Sequence, residues 1–135
     1  MMSKSQATDI SLLLLRLVFG GFMIINHGWG KLMKLLSEGP IKFGDPLGVG
    51  TELSLSLAVF SEVACSVLII IGLFTRWASI PALFTMLVAA FVVHGGDTIR
   101  DKESALLFGT AYLVILLMGP GRYSLDGWWD RRRMV

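Results

Sequence analysis

Residues 12–27 read LLLLRLVFGGFMIINH, a run long and apolar enough to enter a membrane, with one charged residue, Arg16, set inside it. A central arginine in a membrane span costs about 2.5–3.5 kcal/mol on insertion scales, so such a side chain usually faces the protein interior and finds a partner. The same pattern recurs at Glu62, which lies inside the apolar residues 53–74. The sequence therefore predicts a membrane protein with buried polar groups.

Composition favours a single membrane domain that occupies residues 1–135. The chain is 54% hydrophobic and 16% charged, whereas soluble domains carry about 25% charged residues. Its one cysteine, Cys65, excludes an intrachain disulfide and a cysteine-cluster metal site. The formal net charge of +2 gives no reason to expect nucleic acid as a partner. The lipid bilayer is the partner that the composition predicts.

Four apolar stretches approach the length of about 20 residues that a membrane-spanning helix needs. Backbone groups in lipid must be hydrogen-bonded within their own segment, and continuous apolar runs argue against alternating membrane strands. We therefore expect an all-α membrane protein, a bundle of four transmembrane helices with spans at about residues 10–27, 53–74, 77–94 and 103–118. Thr75 and Arg76 are predicted to form a tight turn between the second and third spans. The long connection after the first span contains KLMKLL, which predicts either a short amphipathic or partly re-entrant element near the headgroups or an ordinary surface loop.

The orientation of the bundle follows from the lysines and arginines near the ends of the spans. Six of them fall on one side of the predicted membrane and five on the other. The cluster Arg131–Arg133 beside Trp128 and Trp129 decides between the sides. Indole rings anchor at the interface, and clustered cations prefer the cytoplasmic leaflet. Both termini are therefore expected on the cytoplasmic side.

Ionisable residues in or at the ends of the spans form the candidate ligand-binding or proton-handling site: Arg16, His27, Glu62, His94 and Glu103. From the helical rise of 1.5 Å per residue, the two histidines and Glu103 are expected at the outer mouth of the bundle, with Glu62 and Arg16 deeper. A direct pair between Arg16 and Glu62 would be the least costly arrangement of two buried charges. Such a pair could serve only to fix helix packing, or it could form a dyad at the base of a ligand cavity.

Several ligands are compatible with two histidines and a glutamate at one depth. Zinc accepts histidine and carboxylate ligands, and histidines on different helices can hold haem. The chain lacks local spacings such as HExxH or CxxCH, so no metal ligands are assigned and haem or metal is the less favoured alternative. A quinone fits better, because its carbonyls need hydrogen-bond donors and its tail needs an apolar slot.

The segment after the fourth span, GPGRYSLD at residues 119–126, is predicted to end that helix. Proline lacks a backbone donor, and glycine tolerates left-handed backbone. Ser124 is then expected to cap a short helix that includes Asp126. A structural role accounts for this tail motif, and no catalytic residue is assigned.

Four stretches, taken together, carry a family pattern: LLLLRLVFGGFMIINHGWGKL at 12–32, FSEVACSVLIIIGLFTRWAS at 60–79, FVVHGG at 91–96 and GPGRYSLD at 119–126. On these motifs the chain resembles the DoxX family of small four-helix membrane proteins. The resemblance implies a multi-pass protein of a bacterial or archaeal cytoplasmic (inner) membrane. It also implies that the family's polar positions are Arg16, His27, Glu62, His94 and Glu103, and that its tail motif is Ser124 and Asp126.

The resemblance further implies a link to thiosulfate:quinone oxidoreductase and to membrane complexes that handle thiols and oxidative stress. It leaves open whether this chain catalyses a reaction as a quinone-linked oxidoreductase subunit. Our leading hypothesis is a membrane subunit of a redox or thiol-handling system that binds a quinone-like or lipidic small molecule, with a partner redox subunit. The alternatives are a non-enzymatic assembly or chaperone-like module and a small transporter subunit, which would require a homo-oligomer.

Overall fold

The computed structural model describes residues 1–134, and every regular element among them is a helix. The helices are α1 (Lys4–Leu36), α2 (Thr51–Ile71), α3 (Thr75–Val93), α4 (Ile99–Met118) and α5 (Leu125–Arg133). The all-α prediction is confirmed. Three helices, α1 to α3, are long and apolar enough to cross a membrane. The first turn of α4 instead carries four charged residues at positions 100–103.

The four long helices pack side by side, with α1 against α2 and α4, and α3 against α2 and α4. Small residues such as Ala82, Ala90 and Ala105 lie in the hydrophobic core between these helices. Such residues let helix backbones approach closely in membranes. Large apolar side chains point outward as well, including Phe84 and Phe91 at 54% and 62% exposure. Apolar surface of this extent marks contact with lipid or another protein.

Helix α1 is longer than the sequence pattern predicts. It begins with a capping box between Ser3 and Gln6 and continues through KLMKLL to Leu36. KLMKLL is helical and amphipathic, as one of the two interpretations predicts, but it continues the first helix and is not a separate element. The surface-loop interpretation was wrong, and residues 37–50 form the connection. The next turn also differs from the prediction. It consists of residues 72–74, with Gly72 at φ 74° and Phe74 at φ 48°, and Thr75 already begins α3.

Each of the first three helices widens into a π-helical turn: Ile24–Gly28 in α1, Phe60–Cys65 in α2 and Ala89–Val93 in α3. The π turns of α1 and α2 contact one another. Such turns are rare and often occur at functional sites. His27 lies in the first of them and Glu62 in the second, while His94 directly follows the third.

The bundle has two distinct ends, which we call the tail end and the loop end. The tail end holds the start of α1, the turn 72–74, the end of α4 and helix α5. Hydrogen bonds join these parts, from Arg122 N to Asp9 Oδ1 at 2.9 Å and from Asp126 N to Gly72 O at 2.8 Å. The loop end holds residues 37–50 and the connection 94–98 between α3 and α4.

Candidate functional site

Arg16 is buried at 1% exposure, and its guanidinium donates to backbone carbonyls. Nε donates to Ile69 O at 2.9 Å, and Nη2 donates to Ile70 O at 3.1 Å and to Tyr123 O at 2.8 Å. Nη1 donates to Pro120 O. Ile69 and Ile70 lie in the last turn of α2, where the helix dipole is negative. Ile69 O also accepts a hydrogen bond from Gly72 N at 3.2 Å. Arg16 therefore joins α1 to the end of α2 and to Pro120 and Tyr123, which follow α4.

The expected direct pair between Arg16 and Glu62 was wrong. Glu62 is 3% exposed, and both of its carboxylate oxygens lie 2.6 Å from Lys31 Nζ. Ile69, the α2 partner of Arg16, lies seven residues beyond Glu62, which is about 10 Å further along the helix. The two buried charges are therefore at different levels of the bundle, and each has its own partner.

A cavity of about 260 Å³ opens beside this ion pair, between α2, α3 and the connection 37–50. We call it the Lys31–Glu62 cavity. Its walls are mainly apolar and include Phe43, Leu47, Phe60, Phe84, Val88 and Val93. Apolar walls with a few convergent polar groups are typical of small-molecule sites. Of the predicted site residues, Glu62 lines the cavity, whereas the others lie outside it: Arg16, His27, His94 and Glu103.

Two hydroxyl groups extend the polar part of the cavity wall. Thr85 Oγ1 donates to Ser61 Oγ at 2.8 Å, and Ser61 Oγ donates to Pro81 O at 3.0 Å. Ser61 belongs to the π turn of α2, and the other two residues belong to α3. This chain of hydrogen bonds fixes α2 to α3 beside Glu62.

Asp45 holds the connection 37–50 against the start of α2. Its carboxylate accepts hydrogen bonds from Ser54 Oγ and Gly50 N, both at 2.8 Å, and from Val49 N at 2.9 Å. The bonds from Ser54 and from these backbone groups hold the pKa of Asp45 below its ordinary value, because they stabilise the carboxylate form. The turn that Asp45 fixes supplies apolar wall residues of the cavity.

His27 lies beside the ion pair without entering the cavity. Its ring packs edge-on against Phe108 of α4, with centroids 5.3 Å apart. A Cβ on the neighbouring Gly28 would come within 2.7 Å of Val63 Cγ2 and 3.0 Å of Glu62 O. The absence of a side chain at Gly28 therefore lets α1 approach the π turn of α2.

Gly20 and Gly21, also on α1, differ in how closely α2 approaches them. A Cβ at Gly20 would meet Ile70 Cγ1 at 2.6 Å, whereas a Cβ at Gly21 would have nothing within 4 Å. Gly20 is thus a point of close approach between α1 and α2, and Gly21 is not.

His94 and Glu103 lie at the loop end of the bundle, outside the cavity. The Nδ1 atom of His94 is 2.8 Å from Asp97 Oδ2, and Glu103 is exposed on α4. Within residues 1–134, no group of three or more His, Cys, Asp or Glu side chains is placed to hold a metal ion. His27, His94 and Glu103 do not form such a group.

The tail motif caps two helices. Ser124 Oγ accepts a hydrogen bond from Gly127 N at 3.0 Å and caps α5, as its position in the sequence predicts. The Asp126 carboxylate accepts from Phe74 N and Thr75 N, both at 2.9 Å, and from Thr75 Oγ1 at 2.8 Å. Asp126 therefore caps the start of α3 and fixes α5 to the turn 72–74.

Lys31 is the site residue that the sequence interpretation missed, because it seemed to belong to the connection after the first span. It follows His27 by four residues, which is about one turn further on the same helical face. This spacing was the available signal, and using it required extending the first helix beyond residue 27.

Comparison with known proteins gives consistent matches. The family model described as DoxX matches residues 11–95. An uncharacterized protein of Haemophilus influenzae is 31% identical over 115 residues, which cover 78% of this chain and 81% of that protein. Inner membrane protein YphA of Escherichia coli is 29% identical over 126 residues, covering 85% of this chain and 88% of YphA. Inner membrane protein YqjF of the same organism is 25% identical over 123 residues, covering 87% and 91%. No solved structure matches the chain.

Proposed function

The chain belongs to the DoxX family, and on that premise we propose that it binds a quinone-like or lipidic small molecule in the Lys31–Glu62 cavity. Two of the relatives are named as inner membrane proteins, and three helices within residues 1–134 are apolar and long enough to span a membrane. It is a multi-pass protein of the cytoplasmic membrane. In this proposal it serves as the membrane subunit of a redox or thiol-handling system. The observation that carries the proposal is an apolar cavity whose polar end is a buried ion pair.

The proposed topology has four crossing helices with both termini in the cytoplasm. Residues 104–118 of α4 contain no Asp, Glu, Lys or Arg, and the charged turn before them would lie among the headgroups. Apart from the buried Arg16, the tail end carries six Lys and Arg and the loop end carries five. Three of the six form the cluster Arg131–Arg133 beside Trp128 and Trp129, and this cluster supports a cytoplasmic tail end, because clustered cations favour the cytoplasmic leaflet.

The cavity suits the head of the ligand better than a whole lipid. Its 260 Å³ is just below the range of about 300–1,000 Å³ for common small-molecule sites. A quinone ring presents carbonyl acceptors, and the Lys31 ammonium has three N–H donors, of which its contacts with Glu62 use at most two. The tail of the molecule would leave between Phe60 and Phe84, which are 53% and 54% exposed.

In this proposal Lys31 and Glu62 have separate roles at the quinone carbonyl. Lys31 holds the carbonyl oxygen through a hydrogen bond, and Glu62 exchanges the protons that accompany reduction of a quinone to a quinol. The two electrons come from a partner redox subunit, because the chain's single cysteine cannot form a CxxC pair.

Mass spectrometry of the bound small molecules tests the proposal. The protein is purified in native lipids, and its quinones and lipids are extracted and quantified. Glu62→Gln removes the negative charge from the cavity, while Glu52→Gln makes the same change at an exposed position on α2. We expect the wild type and Glu52→Gln to keep an isoprenoid quinone that Glu62→Gln loses. Equal amounts in all three proteins, or none in any, would refute quinone binding.

A non-enzymatic assembly or chaperone-like role is the second candidate function. The geometry of the ion pair favours it, since both Glu62 oxygens already contact Lys31 Nζ at 2.6 Å and the pair is satisfied without a ligand. In that role Glu62→Gln should lower the stability of the protein. The redox phenotype of cells that carry the variant should then stay unchanged.

A further inference from the structure

A second cavity lies at the tail end of the bundle, opposite the Lys31–Glu62 cavity. Its volume is about 440 Å³, and it is bounded by the start of α3, Pro120 and one face of α5. We propose that it binds the phosphate of an anionic glycerophospholipid from the adjacent leaflet. The charged residues around it are Arg76, Asp126, Asp130 and Arg133.

Two arginines supply the donors for a phosphate. Arg76 is exposed, and its Nη2 donates a long hydrogen bond of 3.3 Å to Leu117 O. The Arg133 guanidinium lies 5.6 Å from the centroid of the Trp129 ring, which lines the same cavity. Guanidinium groups bind phosphate oxygens through paired N–H donors, with both geometric fit and charge in their favour.

The two carboxylates at this cavity differ in how strongly they oppose an anion. Asp126 is engaged by the backbone of residues 74 and 75, at the positive end of the α3 dipole, which offsets its charge. Asp130 is exposed on α5 and is the carboxylate that would repel a phosphate. Removing its charge should therefore strengthen binding.

Aromatic side chains make a lipid the expected source of the phosphate. Phe74, Trp77 and Trp129 line the cavity and are 63%, 75% and 55% exposed. Such rings lie at the headgroup level of a bilayer, where acyl chains can pack over them. The tail end also has the basic excess, six Lys and Arg against three Asp and Glu, and clustered basic residues attract anionic lipids.

Lipid binding to the full chain in detergent tests this site. The protein is titrated with phosphatidylglycerol or phosphatidylcholine, and bound lipid is measured by native mass spectrometry. The double variant Arg76→Gln/Arg133→Gln is compared with Lys34→Gln/Arg100→Gln, which removes two charges at the loop end. We expect the wild type and this control to prefer phosphatidylglycerol. The affinity of the tail-end variant for it should fall roughly tenfold or more.

Three results would overturn the proposal: equal binding of the two lipids, an unchanged tail-end variant, or displacement of phosphatidylglycerol by millimolar inorganic phosphate. Asp130→Asn separates a binding defect from misfolding, because we expect it to increase phosphatidylglycerol binding. Unchanged or weaker binding in Asp130→Asn would also count against the site. The test is independent of the proposed function, since neither Arg76 nor Arg133 lines the Lys31–Glu62 cavity.

Discussion

Replacing Arg16 with glutamine should strongly destabilise the protein, because four backbone carbonyls lose a charged donor. These carbonyls belong to Ile69 and Ile70 in the last turn of α2 and to Pro120 and Tyr123 after α4. A hydrogen bond to a charged group contributes about 1.5–3 kcal/mol, but four such values do not add, because water and the glutamine amide replace part of the loss. A buried acceptor that is left without a donor costs about 1–3 kcal/mol. We therefore expect the free energy of unfolding to fall by about 3–5 kcal/mol.

Cys65 provides the assay, because it is the chain's single cysteine and is 1% exposed. A thiol-reactive fluorophore added to detergent-solubilised protein reports unfolding as this thiol becomes accessible. For a chain of this size, about 4 °C of midpoint shift accompanies each kcal/mol, so Arg16→Gln should lower the midpoint by roughly 10 °C or more. Arg100→Gln is the matched control, since Arg100 is exposed, and its midpoint should move by no more than about 2 °C.

Arg16→Lys separates charge from geometry. Lysine keeps the positive charge, but one ammonium cannot reach all the carbonyls that the planar guanidinium contacts. Its midpoint should lie between those of the wild type and Arg16→Gln. A midpoint for Arg16→Gln within about 2 °C of the wild type would refute the reasoning, because the carbonyls would then be satisfied without this side chain.

Gly28→Ala should lower the thermal midpoint, because its Cβ would lie 3.0 Å from a backbone carbonyl of α2. Gly30→Ala serves as the comparison, since a Cβ there has open space around it. Equal midpoint shifts in the two variants would contradict the predicted clash at Gly28. Asp126→Ala should lower the free energy of unfolding by about 1–2 kcal/mol, as the loss of a helix cap does, and the Cys65 assay measures it. The hydrogen bonds from Ser54 and backbone groups lower the pKa of Asp45, so its contribution to stability is present above about pH 4 and is lost as the pH falls through the lowered pKa. The stability difference between wild type and Asp45→Asn should accordingly be present at pH 7 and disappear at about pH 2, and persistence of the difference at the lower pH would contradict it.

At the candidate site, the sequence predicted which buried charge needs a partner but not which residue is that partner. Hydropathy identified Glu62 as a costly charge that needs a partner, and the structure supplies Lys31. The assignment of Arg16 as that partner failed because depth along a helix does not give the level at which two helices cross. The predicted ligand-handling roles of the site residues remain predictions, and four of these residues lie outside the cavity: Arg16, His27, His94 and Glu103.

Local signals account for what the sequence determined by itself. Long apolar runs require helices in lipid, the residues GPG end α4, and Ser124 caps α5 as its position predicts. Each of these features depends on neighbours within a few residues, so one chain segment contains all the necessary information. The family resemblance, which rests on short motifs, was confirmed for the same reason.

The tertiary structure alone decided the partners and the cavity. The three π turns lie in segments whose composition does not distinguish them from ordinary helix. Arg16 meets the end of α2, and Lys31 meets Glu62, because of how α1 lies against α2. Such contacts join residues that are 31 and 53 positions apart, and their geometry follows from helix packing, which no local pattern encodes.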